Sequence, residues 1–361
     1  MEKESLMNAV VADVTARRKG GRQGSRKAGG FTLRDVAKLA GVAPITASRA
    51  LNTPDAVSAK VLQKVQAAVL QTGYVPNLLA GALASQKSRL VAAVVPTLSG
   101  PMFLQTVEAL TDTLAGAGYQ VMLGQSGYEN SREDALLDAI IGRRPDGIVL
   151  TGITRSPQAR RRLLASGIPV VETWDLTPTP VDMLVGFSHE KIGAAVAQYL
   201  HSKGKRRVAA ISGDDERSRR RATAFSEAAV RLGMARPQES EVPACLVTAP
   251  TTLGNGRSGL RELLQRAPDI DAVFCSSDLL ALGVMIEAQA SAIAIPGQLA
   301  VIGLGDLSFS RDLHPPLTTV RIDGTAIGST AARFIIDRSE GKSVAEPICD
   351  LGFTIIERAS V

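Results

Sequence analysis

Apolar residues recur at helical spacing at Leu33, Val36, Ala37 and Ala40, and Gly41 closes the run. A second helix is expected from Pro44, because proline at the first helical position sacrifices no hydrogen bond and presets φ. Its outer face is polar, with Thr46, Ser48 and Arg49. Glycine between two such helices supplies an unusual backbone angle at a fixed place, so residues 31–52 read as a helix-turn-helix. Thr53-Pro54-Asp55 makes a turn. Ser58 is then placed to cap a third helix with Val61, Leu62, Val65 and Val69 on one face, closed by Gly73. These helices form one small unit, marginally stable alone.

Tyr74-Val75-Pro76-Asn77 breaks the pattern and restarts the chain, with Asn77 as the cap of a short helix from Leu78 to about Ser85. The segment is rich in small residues and almost without an amphipathic face. A helix of some two turns does not persist alone in water. It is expected to order only when something docks against it.

From Leu90 onward the period alternates between strand and helix. Apolar, β-rich runs occur at Leu90–Val95, Tyr119–Leu123, Gly147–Thr151, Ile168–Glu172, Met183–Phe187, Arg207–Ile211, Glu241–Val247, Ala272–Cys275 and Ala300–Leu304. A last strand is placed at Thr354–Ile356, and helical segments such as Arg132–Ile141 and Glu190–Ser202 lie between most of the runs. Alternation of this kind predicts doubly wound parallel sheets. So many units exceed one sheet, which predicts two similar lobes and a cleft. Ligands of such sheets sit outside the carboxyl ends of the strands.

Charge sharpens the picture. Up to Arg89 the chain holds 14 Lys and Arg against 5 Asp and Glu, whereas the remainder holds 27 against 30. The basic character therefore belongs to the first quarter, which is the footprint expected of a module that binds a polyanion. Residues 1–30 include Arg-Arg-Lys-Gly-Gly-Arg-Gln-Gly-Ser-Arg-Lys and read as a disordered basic arm, either adding phosphate contacts or serving as a functionless leader. At 361 residues and 45% hydrophobic content the chain is long enough for two or three cored domains. It shows no apolar run of spanning length and no signal-peptide core, so a cytoplasmic protein without membrane contact is expected. Cys245, Cys275 and Cys349 are scattered singly and His189, His201 and His314 form no cluster, so neither a metal nor Cys/His catalysis is expected.

One pattern points elsewhere. Gly254-Asn-Gly256-Arg-Ser-Gly259 has the spacing of a dinucleotide-binding loop, with Asp278 about twenty residues on. Thr248 to Leu253 separate it from its strand, where the motif requires direct succession. No cofactor is expected, and a dinucleotide-dependent enzyme stands only as an alternative. A sugar-binding protein without gene regulation is the other, and it would carry no helix-turn-helix.

Taken together, the chain resembles the lactose-repressor family of bacterial transcription regulators. The resemblance rests on Thr-Leu-Arg-Asp-Val-Ala at 32–37, Ala-Gly-Val at 40–42, Thr-Ala-Ser-Arg-Ala-Leu-Asn at 46–52 and Gly-Tyr-Val-Pro-Asn at 73–77. Ser-Asp-Leu-Leu-Ala-Leu-Gly at 277–283 and Pro-Pro-Leu-Thr-Thr-Val at 315–320 extend it over nearly the whole chain. Val-Met-Leu with Gly-Tyr at 127–128, Leu-Val-Gly-Phe at 184–187 and Asp-Leu-Gly-Phe-Thr near the end are similar to the gluconate-operon repressor branch.

The resemblance implies an all-α helix-turn-helix domain at 31–75 and a hinge helix at 76–89. A two-lobed, periplasmic-binding-protein-like α/β domain at 90–361 follows, for effector binding and dimerisation. Its lobes are expected at about 90–187 with 320–342, and at 188–319 with 343–361. A homodimer would grip a near-palindromic double-stranded operator and repress a sugar or sugar-acid utilisation operon. By matching positions, Pro44 and Ile45 open the recognition helix at base edges, Ile45 by apolar contact alone. Arg49 suits a guanine and Thr46 and Ser48 suit phosphates. Thr32, Asn52, Asn77 and Ala80 complete the DNA set with Leu83. Leu83 is either the family's minor-groove wedge or a helix-packing leucine.

For the effector, Arg221 matches a ligand-facing arginine four residues before an aromatic, here Phe225, and would clamp a carboxylate. A surface position in a basic run is the other reading. Phe103, Phe187 and Ser277 are placed at the cleft. Asp278 either faces the ligand or caps a helix, and Trp174 either stacks on the ligand or packs in the core. Two departures matter. Ser277 replaces the family's usual Asn, and Leu304-Gly305 replaces an aromatic-Asp pair that would grip sugar hydroxyls. The missing acid weighs against a neutral hexose and toward an anion such as gluconate or its phosphate.

Overall fold

The computed structural model describes residues 31–75, 87–128, 130–154 and 156–361, and the chain divides into two compact units, Met1–Ala80 and Gly81–Val361. The expected basic arm and the expectations at Asn77, Ala80 and Leu83 lie outside the described residues.

The first unit contains α1 (Leu33–Ala40), α2 (Pro44–Asn52) and α3 (Ala59–Thr72). Its core is built from small residues, which let short helices approach closely: Val36, Ala37 and Ala40 meet Ala47, Ala50, Val65 and Ala68, with Leu33, Val61, Leu62 and Val69 packed around them. Gly41 adopts the left-handed conformation (φ 67°, ψ 36°) that ends α1 and turns the chain into α2. Gly73 does the same for α3 at φ 65°. Ser58 occupies the cap position of α3, although its side chain makes no capping bond.

The second unit holds two six-stranded sheets. Strands β1 (Leu90–Val95), β2 (Gln120–Gln125), β3 (Gly147–Thr151), β4 (Val170–Thr173), β5 (Met183–Gly186) and β11 (Ile348–Asp350) form the first, in the order β11-β5-β4-β3-β1-β2. All its pairings are parallel. The second sheet contains β6 (Val208–Gly213), β7 (Ala244–Val247), β8 (Ala272–Cys275), β9 (Ala300–Leu304), β10 (Thr318–Arg321) and β12 (Thr354–Ile356), in the order β12-β10-β9-β8-β6-β7. Here β12 runs antiparallel to β10 and the other pairings are parallel. The expected β7 start at Glu241 moves to Ala244, because Pro243 has no N–H for a ladder and only its carbonyl is used, by Ala210.

The sheets shift both expected lobe boundaries. Thr318–Arg321 pairs with β9 in the second lobe, so the crossing into helix α11 (Gly324–Ser339), which packs on α4 (Leu104–Gly116) and the first sheet, falls after it. Residues 343–361 do not stay in the second lobe, since Ile348–Asp350 pairs with β5 before the chain crosses to β12. One apolar cluster, including Val185, Phe187, Val208 and Ile302, runs through both lobes. Among the described residues, no helix is long and apolar enough to cross a membrane, and no group of three or more His, Cys, Asp or Glu is placed to hold a metal ion.

Candidate DNA-reading face and effector cleft

Helix α2 begins at Pro44 and exposes Pro44, Ile45, Arg49 and Asn52, with Thr46 and Ser48 half-buried beside them. Ile45 is 62% exposed, an apolar side chain that no neighbour in its own unit covers. Asn52 donates from Nδ2 to Ser48 Oγ (3.2 Å), so these two are one polar pair rather than two independent groups. Thr32 is engaged as a cap. Its N–H and hydroxyl both donate to Asp35 Oδ2 at 2.9 and 2.7 Å, and this bonding holds the Asp35 carboxyl below its usual range. Helix α2 thus buries Ala47 and Ala50 in the unit and leaves Ile45, Arg49 and Asn52 on an exposed face, the geometry of a recognition helix.

In the second unit the carboxyl ends of the strands converge on a cleft between the lobes. Phe103, Trp174, Phe187, Arg221 and Ser277, five of the six residues expected there, line its cavity. The aromatic wall is a run of edge-on contacts: Phe103 to Trp174 at 5.0 Å, Trp174 to Phe187 at 5.7 Å, and Phe187 to His189 at 5.0 Å. Trp174 packs in the core, 4% exposed, and also lines the cavity. Its Nε1 donates to Thr106 Oγ1 (3.1 Å), locking the ring into the lobe, while one side of the residue faces the cavity. It holds a left-handed backbone (φ 64°), an uncommon conformation for so large a residue.

Arg221 comes from α8 (Glu216–Arg231), which packs on α7 (His189–Ser202). A methyl group at Gly193 of α7 would overlap the Arg221 carbonyl oxygen, so glycine there is what lets α8 approach. The surface reading of Arg221 is excluded, for it is 6% exposed. Nη1 contacts His189 Nδ1 at 2.8 Å, and Nη2 donates to Ser218 Oγ at 2.9 Å and more weakly to the Ser276 carbonyl at 3.4 Å. Among the described residues its Nε has no hydrogen-bond partner. Burial brings its pKa down to about 10, so it remains a cation at neutral pH.

Asp278, expected at the cleft, does not line the cavity. It is the first residue of α10 (Asp278–Ala290), fully buried and turned away from the cavity, and Ser277 is the cap, accepting from the Leu280 N–H at 3.3 Å. The Asp278 carboxylate accepts from Thr319 Oγ1 (2.6 Å), Ser310 Oγ (2.7 Å) and the Leu307 N–H (2.8 Å). Burial pushes its pKa up, and these three donors oppose that rise. With its lone pairs committed, it ties α10 to β10 rather than gripping a ligand.

Several lining residues were not anticipated, among them Tyr128, His189, Asp215, Arg217, Ser218 and Ser276. Arg217 had a legible signal, since it lies one helical turn before Arg221 in the same arginine run. Its guanidinium sits 5.8 Å over the Phe103 ring. His189 had none, because its partners come from distant parts of the chain. A second, more polar cavity adjoins the first through Tyr128, Asp215, Arg217 and Ala249 and includes Glu133 and Asp214. The glycine-rich pattern is explained by packing. Gly254, Gly256 and Gly259 lie inside helix α9 (Leu253–Arg266), where a methyl at Gly256 would overlap the Leu280 carbonyl of α10.

Both units have counterparts among known proteins. Residues 32–77 match the model for bacterial regulatory proteins of the lacI family, and residues 197–361 match the periplasmic binding protein-like domain. The HTH-type transcriptional regulator GntR of Pseudomonas aeruginosa is 37% identical over 337 residues, covering 93% of this chain and 97% of that protein. A LacI-family transcriptional regulator from Silicibacter pomeroyi superposes with a TM-score of 0.84 at 32% identity, covering 91% of this chain and 99% of that one. The lac repressor dimer, solved bound to operator, shares the fold at 23% identity, with a TM-score of 0.79 over 92% of this chain and 99% of that one.

Proposed function

The chain belongs to the lacI family of bacterial regulatory proteins, a DNA-binding transcriptional regulator and not an enzyme, and on that premise we propose that it is a homodimeric repressor released or engaged by a sugar acid held in the interlobe cleft. One observation carries the ligand class: the buried Arg221 cation, edged by aromatic rings, whose Nε is left without a partner among the described residues. A planar guanidinium with a donor to spare in an aromatic-lined, largely apolar cavity suits a carboxylate in fork geometry. The lining supports the same reading, since Leu304 stands where the family often has an acid nearby, Asp278 is committed elsewhere, and the lining acid Asp215 accepts from the Ser218 N–H as the cap of α8. Gluconate is the first candidate, on the resemblance to the gluconate-operon branch.

On the DNA side, Pro44 and Ile45 open the helix at base edges and Arg49 carries the hydrogen-bonded reading, with Thr46, Ser48, Asn52 and Thr32 near the backbone. Asn77, Ala80 and Leu83 would act in the hinge. The dimer is supported by the lac repressor, which shares this fold and was solved as a dimer on its operator. Ligand binding to one lobe arrangement over another would shift the populations of two states.

Calorimetry with gluconate, 2-ketogluconate, their phosphates and neutral hexoses tests the ligand class. Binding of a sugar acid, abolished in Arg221→Ala, is expected. Binding of neutral hexoses with none of the acids would overturn it. A gel shift on DNA flanking the gene tests the regulator, for which salt-sensitive, sequence-selective binding is expected.

A further inference from the structure

Resting on that reading of the cleft, we propose that His189 is a positioning and selectivity residue. It is a neutral, Nε2-protonated imidazole that holds Arg221 in place without cancelling its charge, so the negative charge must come from the ligand.

The two ring nitrogens have unambiguous partners. Nε2 lies 3.0 Å from the Trp174 carbonyl oxygen, which can only accept, so Nε2 carries the hydrogen. Nδ1 lies 2.8 Å from Arg221 Nη1, which can only donate, so Nδ1 carries none. A second proton would set two N–H groups against each other. The groups facing the ring are consistent with this. Arg217, Arg220 and Arg221 approach from α8, the Phe187 ring edge packs at 5.0 Å, and Asp175 Oδ1 stands 3.9 Å from Nε2. Asp175 does not recruit the proton, because both its oxygens accept from Arg220 Nη1 at 3.0 and 2.9 Å. Burial first, and then the three guanidinium groups, hold the imidazole pKa well below its usual value.

The consequence concerns Arg221. A buried arginine is ordinarily paired with a carboxylate. Here its acceptors are an imidazole, a serine hydroxyl and a carbonyl, all neutral. Among the described residues it takes part in no ion pair, while the nearby Asp175 is held by Arg220 and Asp215 accepts from the Ser218 N–H at 3.2 Å. The same imidazole joins the lobes, since Trp174 follows β4 of the first and Arg221 lies on α8 of the second. Orientation of the cation is thereby tied to the position of the aromatic wall.

Two measurements on the full-length protein test this. The chain has three histidines, so 15N spectra of the imidazoles of wild type and His189→Asn identify His189 directly. The Nε2–H tautomer, unchanged from pH 8 to about 5, is expected. An Nδ1–H tautomer, or ordinary titration near pH 6.5, would overturn the assignment. The second compares His189→Asn with His189→Asp, which place nearly the same atoms beside Arg221 but differ in charge. With gluconate as probe, the Asp variant is expected to bind roughly a hundredfold more weakly than the Asn variant, and the Asn variant within about tenfold of wild type. Equal affinity in the two variants, with both shown folded by thermal melting, overturns the proposal. If no protein binds gluconate while the tautomer is as expected, it is the sugar-acid reading that falls, and the assignment at His189 stands on the spectra.

Discussion

Arg220 Nη1 lies 2.9 Å from Asp175 Oδ2, joining α8 of the second lobe to the end of β4 in the first. The neighbouring arginines on α8 divide the work: Arg220 grips the opposite lobe, and Arg221 faces the cavity. Asp175 is 2% exposed, so removing its partner strands a buried carboxylate. Arg220→Met is therefore expected to cost about 3 kcal/mol in urea unfolding. The double variant with Asp175→Leu should recover much of that loss, because no charge is left stranded. A single-variant loss below about 0.5 kcal/mol, within the range of an exposed pair, would show that the latch is not holding the lobes.

Glu190 predicts a pH dependence. Its carboxylate accepts from Arg220 Nε at 2.6 Å, and that bond, against some burial, lowers its pKa to about 2. A depressed acid contributes stability above its unfolded value of 4.5 and loses it as pH falls through about 2. The stability difference between wild type and Glu190→Gln should thus be present at pH 7 and vanish between about pH 4.5 and 2. The effect is modest, since the Glu190 side chain is 52% exposed. Urea midpoints across that range measure it, and a pH-independent difference would assign the effect to the hydrogen bond rather than the charge.

Asp278→Asn separates structure from binding. An amide in place of the carboxylate turns an N–H₂ toward at least one of three donors, so a loss of roughly 2–3 kcal/mol in thermal or urea unfolding is expected. Effector affinity should change by less than about twofold, because Asp278 itself does not line the cavity. A large loss of affinity in a stably folded Asp278→Asn would return this residue to the ligand site.

Arg49→Ala should abolish discrimination at one base pair per half-site, costing roughly 1–3 kcal/mol each. Binding measured on single-base operator variants, at two salt concentrations, reads this. A uniform loss on every sequence, with a shallower salt dependence, would make Arg49 a phosphate contact instead.

Legibility followed the distance over which each feature is written. The first unit is local: Val36, Ala37 and Ala40 set one face, Gly41 the turn and Pro44 the next start, all within a dozen residues. The arginine run is equally local, and helical period alone places Arg217 and Arg221 on one side. The three-residue strand Ile348–Asp350 was not legible, because a short edge strand with an exposed–intermediate–exposed pattern carries no period to detect.

The sequence by itself determined the class of this protein: a basic helix-turn-helix ahead of alternating strands and helices, with Arg221 matched to a ligand-facing arginine only through the family resemblance. Only the tertiary structure decided what surrounds that arginine. It withdrew Asp278 into a network with Ser310 and Thr319 and brought in His189, a histidine without cluster or motif. The reason is physical. Period and composition report which face of an element is buried, whereas hydrogen bonds between side chains 32 or 41 residues apart depend on how the elements pack, which no local pattern encodes.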